Sequence, residues 1–197
     1  MRDPEDTFQG AVNHVVPSLT DINVWPALSE CQSLVHLAWA STPNSSSGQP
    51  VLELENNLFP TLRLIQEIQR SPLERVIFMS SGGAVPKSHG ATLIPDGTPV
   101  PRSYYGAAKA SGEQFMLAMS AQCGKDVVIL RPTNLYGPAQ PLVPGFGLIR
   151  TLVDRVIRGE SISIWGDGSL RKDYLYIDDF LDLLSRIVEL DLSLIHI

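Results

Sequence analysis

RVIFMS, residues 75–80, is the run that decides the fold. Its interior is apolar without the polar alternation of a half-exposed strand, which fits a strand buried on both faces of a parallel sheet. Runs of similar character lie at 12–16, 33–38 and 126–130. Between them, residues 24–30, 51–70 and 103–122 read as helices, the second with Leu54, Leu58, Leu62 and Ile65 at helical spacing. Strands and helices alternating in this order predict βαβ units, and so an α/β fold with a doubly wound parallel sheet.

Two loops follow strand C-terminal ends, the side on which open α/β sheets bind ligands. They are the polar STPNSSSGQP at 41–50 and the Gly- and Pro-rich segment 82–102. Beyond Pro138 the pattern changes to a helix at 146–158, a short strand at 162–165, a GDGS turn, a strand at 173–177 and a helix from Asp178. This divides the chain into residues 1–141, which carry the sheet, and 142–191, a smaller region whose last helix returns to the core.

The 197 residues carry a net charge of -6 and a pI near 5.1, which gives no basic field for nucleic acid or an anionic membrane. A local basic pocket for a phosphate remains compatible with that balance. No apolar run approaches the ~18 residues of a membrane span. The opening MRDPEDTFQG is charged and polar, unlike a signal peptide. Cys31 and Cys123 are far apart and form no CxxC, which predicts reduced thiols and a cytoplasmic protein. His14, His36, His89 and His196 are scattered, so no metal site is expected.

Chemistry enters at SYYGAAK, residues 103–109. Four residues is just over one helical turn, so Tyr105 and Lys109 share a face, whereas Tyr104 would meet Ala108. A phenol titrates near ~10, and a neighbouring ammonium favours the phenolate, so Lys109 is expected to lower the Tyr105 pKa and make it a proton carrier at neutral pH.

Six motifs in order now carry a resemblance: VHLAWAS at 35–41, Asn57 in NNLFPT, VIFMSSGGAV at 76–85, YGAAK, LRPTNLYGP at 130–138, and RGESISIWGDGSLRKDYLYIDD at 158–179. The chain resembles the extended short-chain dehydrogenase/reductase family, specifically its NAD-dependent nucleotide-sugar epimerases and dehydratases, and so implies a Rossmann-like sheet. By that resemblance Tyr105 is the base that takes a proton from a sugar hydroxyl, and Lys109 holds the nicotinamide ribose of NAD. Ala38, Trp39, Asn57, Ser80 and Pro132 match cofactor-wall positions. Asn134 matches a substrate-side amide, and Ser163 and Trp165 fall where the family packs the nucleotide base. Structural roles also fit three of these: Asn57 as a loop bridge, Trp165 as core, Pro132 as a strand end. A homodimer through helices 51–70 and 103–122 is implied, with Gly112 allowing close approach.

The departures matter equally. Where the family usually places Ser or Thr to bond the reacting hydroxyl, this chain has Gly82, and Ser81 is the nearest hydroxyl. Gly82 and Gly83 supply no acid pair for eliminating water, which favours an epimerase over a dehydratase; a dehydratase or reductase of the same family and a binding scaffold without catalysis are the alternatives. The family's phosphate-clamping Arg-Asp reads here as Lys172 and Asp173, with Arg171 one place early, and lysine cannot form the planar fork. Ser18 stands where an adenine-contacting aspartate is expected. No GxxGxxG occurs, although that loop cradles the cofactor's pyrophosphate. The expectation is therefore a fragment that lacks the first two strands, leaves residues 34–37 as a bare edge and does not bind NAD by itself. LSLIHI at 192–197 resembles a translated sequencing adapter and stands outside the fold.

Overall fold

The computed structural model describes residues 28–84, 101–143, 145–163, 166–169 and 171–189. Strands β1 (Ser33–His36), β2 (Arg75–Met79) and β3 (Asp126–Leu130) form a parallel sheet in the order β1-β2-β3. Ile77 lies in register between Val35 and Val128. Neighbouring parallel strands require crossovers, and the chain supplies helices for both.

The first crossover is α1 (Pro50–Glu53), a π-helical turn (Leu54–Leu58) and α2 (Phe59–Arg70) running on without a break. Pro60 gives the wide turn a physical cause. Proline has no N–H, and its ring would meet the carbonyl four residues back. The turn before it relaxes, and the Phe59 N–H bonds to Leu54 O, five residues back. The second crossover is α3 (Tyr104–Cys123), capped by the Ser103 hydroxyl, which accepts the Gly106 N–H at 3.0 Å. Gly124, at φ 69, ends it in the left-handed conformation.

Both sheet faces are covered, which is why the strands carry unbroken apolar runs. Val76, Phe78, Val127 and Ile129 face Leu64 and Ile68 of α2 and Met116 and Met119 of α3. The alternate residues Ile77, Val128 and Leu130 face Phe180 and Ile187. Those two belong to α5 (Ile177–Glu189), which packs on this face of the sheet. Between lie β4 (Asn134–Tyr136), α4 (Leu148–Arg158) and β5 (Tyr174–Tyr176), with β4 and β5 paired in parallel.

Several expectations need correction. Residues 162 and 163 are not strand, because among the described residues nothing pairs with them. Asn134–Tyr136 is a strand that its three-residue length concealed. Gly112 does not face a partner helix. A Cβ there would lie 2.9 Å from Phe78 Cζ, so the missing side chain lets α3 settle onto the sheet. Residues 12–16, most of the 24–30 helix, Ser18, Trp165 and 192–197 lie outside the described residues. Among the described residues β1 pairs only with β2, and Leu37 just beyond it is 57% exposed.

Candidate active site

The site stands at the C-terminal ends of β1 and β2. Lys109 reaches from the second turn of α3 to the Met79 carbonyl, the last of β2, at 2.6 Å. Its ammonium lies 3.8 Å from the Trp39 ring centroid and 5.3 Å from that of Phe78. Trp39 in turn meets Tyr105 edge to face, with centroids 6.3 Å apart. The sequence-predicted residues Trp39, Tyr105 and Lys109 therefore form one cluster.

Ser81 joins them through the turn after β2. Ser80 N–H bonds to Leu130 O at 2.7 Å and Gly82 N–H to Pro132 O at 3.0 Å, so parallel pairing continues past the strand end. Gly82–Ala84 then forms a single 3-10 turn. A Cβ on Gly106 would lie 2.7 Å from the Gly83 carbonyl oxygen, so glycine lets this turn lie against the start of α3. That contact sets the Ser81 side chain, which accepts the Gly83 N–H at 3.1 Å, close enough to Tyr105 to act on its phenol.

Two buried carboxylates escaped the sequence reading. Glu53, 3% exposed, accepts Trp39 Nε1–H at 2.9 Å, Ser41 Oγ–H at 2.6 Å and Asn57 Nδ2–H at 3.1 Å. Asn57 completes the set by accepting Ala40 N–H at 2.6 Å, so it bridges the loop after β1 to the π turn. Glu113, fully buried, takes a two-point grip from Arg131 and a hydrogen bond from the Ser80 hydroxyl. The Ser80 side chain is thus committed to the interior. The sequence holds only a weak hint of them, in that Glu53 precedes Asn57 by four residues and Glu113 follows Lys109 by four.

Electrostatics reverse one expectation. Burial pushes the Tyr105 phenol above its ordinary value, the hydrogen bond with Ser81 draws it down, and the Glu53 carboxylate pushes it up again. The predicted lowering by Lys109 is not seen in this state, where desolvation dominates, and burial is what spacing along a helix cannot reveal. Lys109 is itself pushed down to about 7 by burial, against the opposing pull of Glu53 and then Glu113. Beneath it, His36 is held down to about 4 by burial and by the Lys109 charge.

A family model described as "NAD dependent epimerase/dehydratase family" matches residues 12–193. The chain belongs to that family. UDP-glucose 4-epimerase of Mycolicibacterium smegmatis is 29% identical over 175 residues, covering 87% of this chain and 56% of the relative. Among solved structures, UDP-N-acetylglucosamine 4-epimerase of Methanobrevibacter ruminantium superposes with a TM-score of 0.83 at 27% identity, covering 89% of this chain and 57% of that one. UDP-glucose 4-epimerase of Thermus thermophilus, in a complex with NAD, gives 0.79 at 27% identity over 89% and 60% of the two chains. The chain spans about half the length of the curated relatives it matches.

The epimerase/dehydratase family is NAD-dependent, and the donor set here suits the ribose end of that cofactor. An ammonium carries three N–H donors, and Met79 O takes one of them, which leaves donors for a diol beside the Tyr105 hydroxyl. Ala38 is exposed at the end of β1, and the Pro132 carbonyl is used by Gly82. Asn134 donates to Asp173 O at 2.8 Å and so ties β4 to β5. Ser163, Arg171 and Lys172 are exposed in the segments before β5. Among the described residues no group of three or more His, Cys, Asp or Glu side chains could hold a metal ion, and no helix is long and apolar enough to cross a membrane.

Proposed function

We propose that this chain is the catalytic part of an NAD-dependent nucleotide-sugar epimerase. The observation that carries the reading is Tyr105 beside the buried Lys109, whose ammonium lies 6.0 Å from the Tyr105 ring centroid, with Ser81 acting on the phenol, at the strand ends where open α/β sheets bind ligands. Ser81 takes the part of the hydroxyl that Gly82 cannot supply. It bonds the reacting sugar hydroxyl and Tyr105 together, and Tyr105 receives the proton. Lys109 holds the nicotinamide ribose through its remaining donors, and its charge favours the phenolate as the proton moves. Bound NAD supplies a reversible hydride acceptor at the carbon beneath that hydroxyl.

Ala38, Trp39 and Pro132 are assigned to the cofactor wall, with Asn57 and Ser80 supporting it from behind. Asn134, Ser163, Trp165, Arg171 and Lys172 are assigned to the nucleotide sugar. A cytoplasmic location fits the free Cys31 and Cys123, and a homodimer fits the exposed Phe59 and Phe115 on the two crossover helices. The absence of an acid pair at Gly82 and Gly83 favours epimerisation over dehydration.

The test is Tyr105→Phe in the full-length protein carrying this sequence, assayed against a panel of UDP- and dTDP-sugars. We expect the substitution to abolish interconversion of the matched pair while the protein stays folded. Epimerisation at near the wild-type rate overturns the assignment, and net loss of water or net consumption of reduced cofactor moves it to the dehydratase or reductase reading.

A further inference from the structure

Two anionic side chains act on Lys109, and their surroundings differ. The Glu113 charge is met by the Arg131 guanidinium, with contacts of 2.7 and 2.9 Å. Glu53 accepts hydrogen bonds from Trp39, Ser41 and Asn57, all of them neutral. Of the two, Glu53 is the one whose charge reaches the ammonium without a cation beside it.

The path is short. The indole of Trp39 gives its Nε1–H to Glu53 at 2.9 Å and its face to Lys109 Nζ at 3.8 Å. A hydrogen bond from the indole to an anion pushes electron density into the ring, and a richer ring face holds a cation more strongly. The ammonium is then fixed between two partners, the Met79 carbonyl on β2 and the indole after β1. We propose that Glu53 is a positioning residue for Lys109, acting through the Trp39 indole that it grips at the ring nitrogen.

The π turn supplies the geometry for this. Glu53 immediately precedes Leu54–Leu58, and Asn57 within that turn bonds back to it, so the carboxylate is clamped on three sides. Other titratable groups around the ammonium are His36 of β1 and Tyr105 and Glu113 of α3; β2 offers the Met79 carbonyl and the Phe78 ring. His36 is neutral near pH 7, and Glu113 is matched by Arg131, so the response to Glu53 is separable from theirs.

The inference rests on the reading of Lys109 as the partner of Tyr105, but its test needs no turnover. Lysine Cε resonances are followed by NMR across the pH range in this 197-residue chain, with Lys109→Met identifying the Lys109 signal. The wild-type midpoint is expected at about 7. Glu53→Gln is expected to lower it by on the order of one pH unit. Trp39→Phe, which keeps a ring face and loses the N–H, is expected to lower it by less. The double variant is expected to match Glu53→Gln alone, because both changes break one path. An unmoved midpoint in Glu53→Gln, or single effects that simply add, overturns the proposal. Should Glu53→Gln fail to fold, Trp39→Phe decides: an unchanged Lys109 midpoint overturns it. Loss of the Tyr105 role would show only in the turnover assay, so the two failures are distinguishable.

Discussion

The Arg131 guanidinium grips the fully buried Glu113 carboxylate at two points, Nε to Oε1 at 2.9 Å and Nη2 to Oε2 at 2.7 Å. Planar two-point pairing of this kind is among the stronger charge-assisted contacts, and it ties α3 to the exit of β3. Replacing Glu113 takes from the largely buried Arg131 guanidinium the carboxylate that it grips at two points. Glu113→Gln is therefore expected to destabilise the fold by about 3–5 kcal/mol. Replacing the pair together, Glu113→Leu with Arg131→Met, is expected to cost clearly less. Urea unfolding of both variants checks this; equal losses would show that the ion pair is not what Glu113→Gln breaks.

Gly106 bears on the chemistry through contact alone. Its missing Cβ leaves room for the Gly83 carbonyl, and that turn carries Ser81 to Tyr105. Gly106→Ala is expected to push the turn away and weaken the Ser81 bond, which now draws the phenol down. The Tyr105 midpoint should then move further up. Phenolate absorbance in the variant, with Tyr105→Phe as the subtraction control, measures it; a midpoint equal to wild type would mean that the turn does not hold Ser81.

His36 gives the fold an acid limit. Its folded pKa is about 4 against an ordinary 6.5, so the unfolded chain binds its proton first as pH falls. The stability it contributes is complete above pH 6.5 and is lost as pH falls toward 4. At about 1.4 kcal/mol per pH unit, the loss across that window is roughly 3 kcal/mol. His36→Gln can still donate to Thr61, the present partner of Nε2 at 3.2 Å, and does not titrate. The wild-type protein should lose more stability than the variant between pH 7 and pH 4, and parallel urea midpoints across that range would exclude His36 as the cause.

Much of the architecture was written in apolar runs. Asp126–Leu130 has the bounds read from the sequence, and Arg75–Met79 is one residue shorter, because Val76, Ile77 and Phe78 are buried on both faces of the sheet and leave no other reading. Ile162 and Ser163 misled for the converse reason. Alternation in a short segment signals a strand only where a neighbour completes it, and residues 162 and 163 have none among the described residues. In the site, the Tyr105 and Lys109 pairing was legible from their spacing. The direction of the Tyr105 shift was not, since it depends on how deeply α3 sinks against the sheet. Glu53 looked like one more acidic residue on a helix. Its burial follows from the loop after β1 folding back over it, a contact between segments that no local window contains.

The π turn at Leu54–Leu58 also governs how this protein tolerates changes in length. Such a turn holds one residue more than an α-helical turn of the same span, so deleting Asn56 would let the crossover relax to a regular helix. Because the π turn completes about the same rotation with one residue more, the flanking segments would keep their phase, whereas the same deletion inside α2 would turn everything upstream by about 100°. The surplus residue acts as slack: a one-residue deletion that this turn can absorb would, inside α2, swing Glu53 away from Trp39 and dismantle the support behind the site without touching an atom of Tyr105 or Lys109.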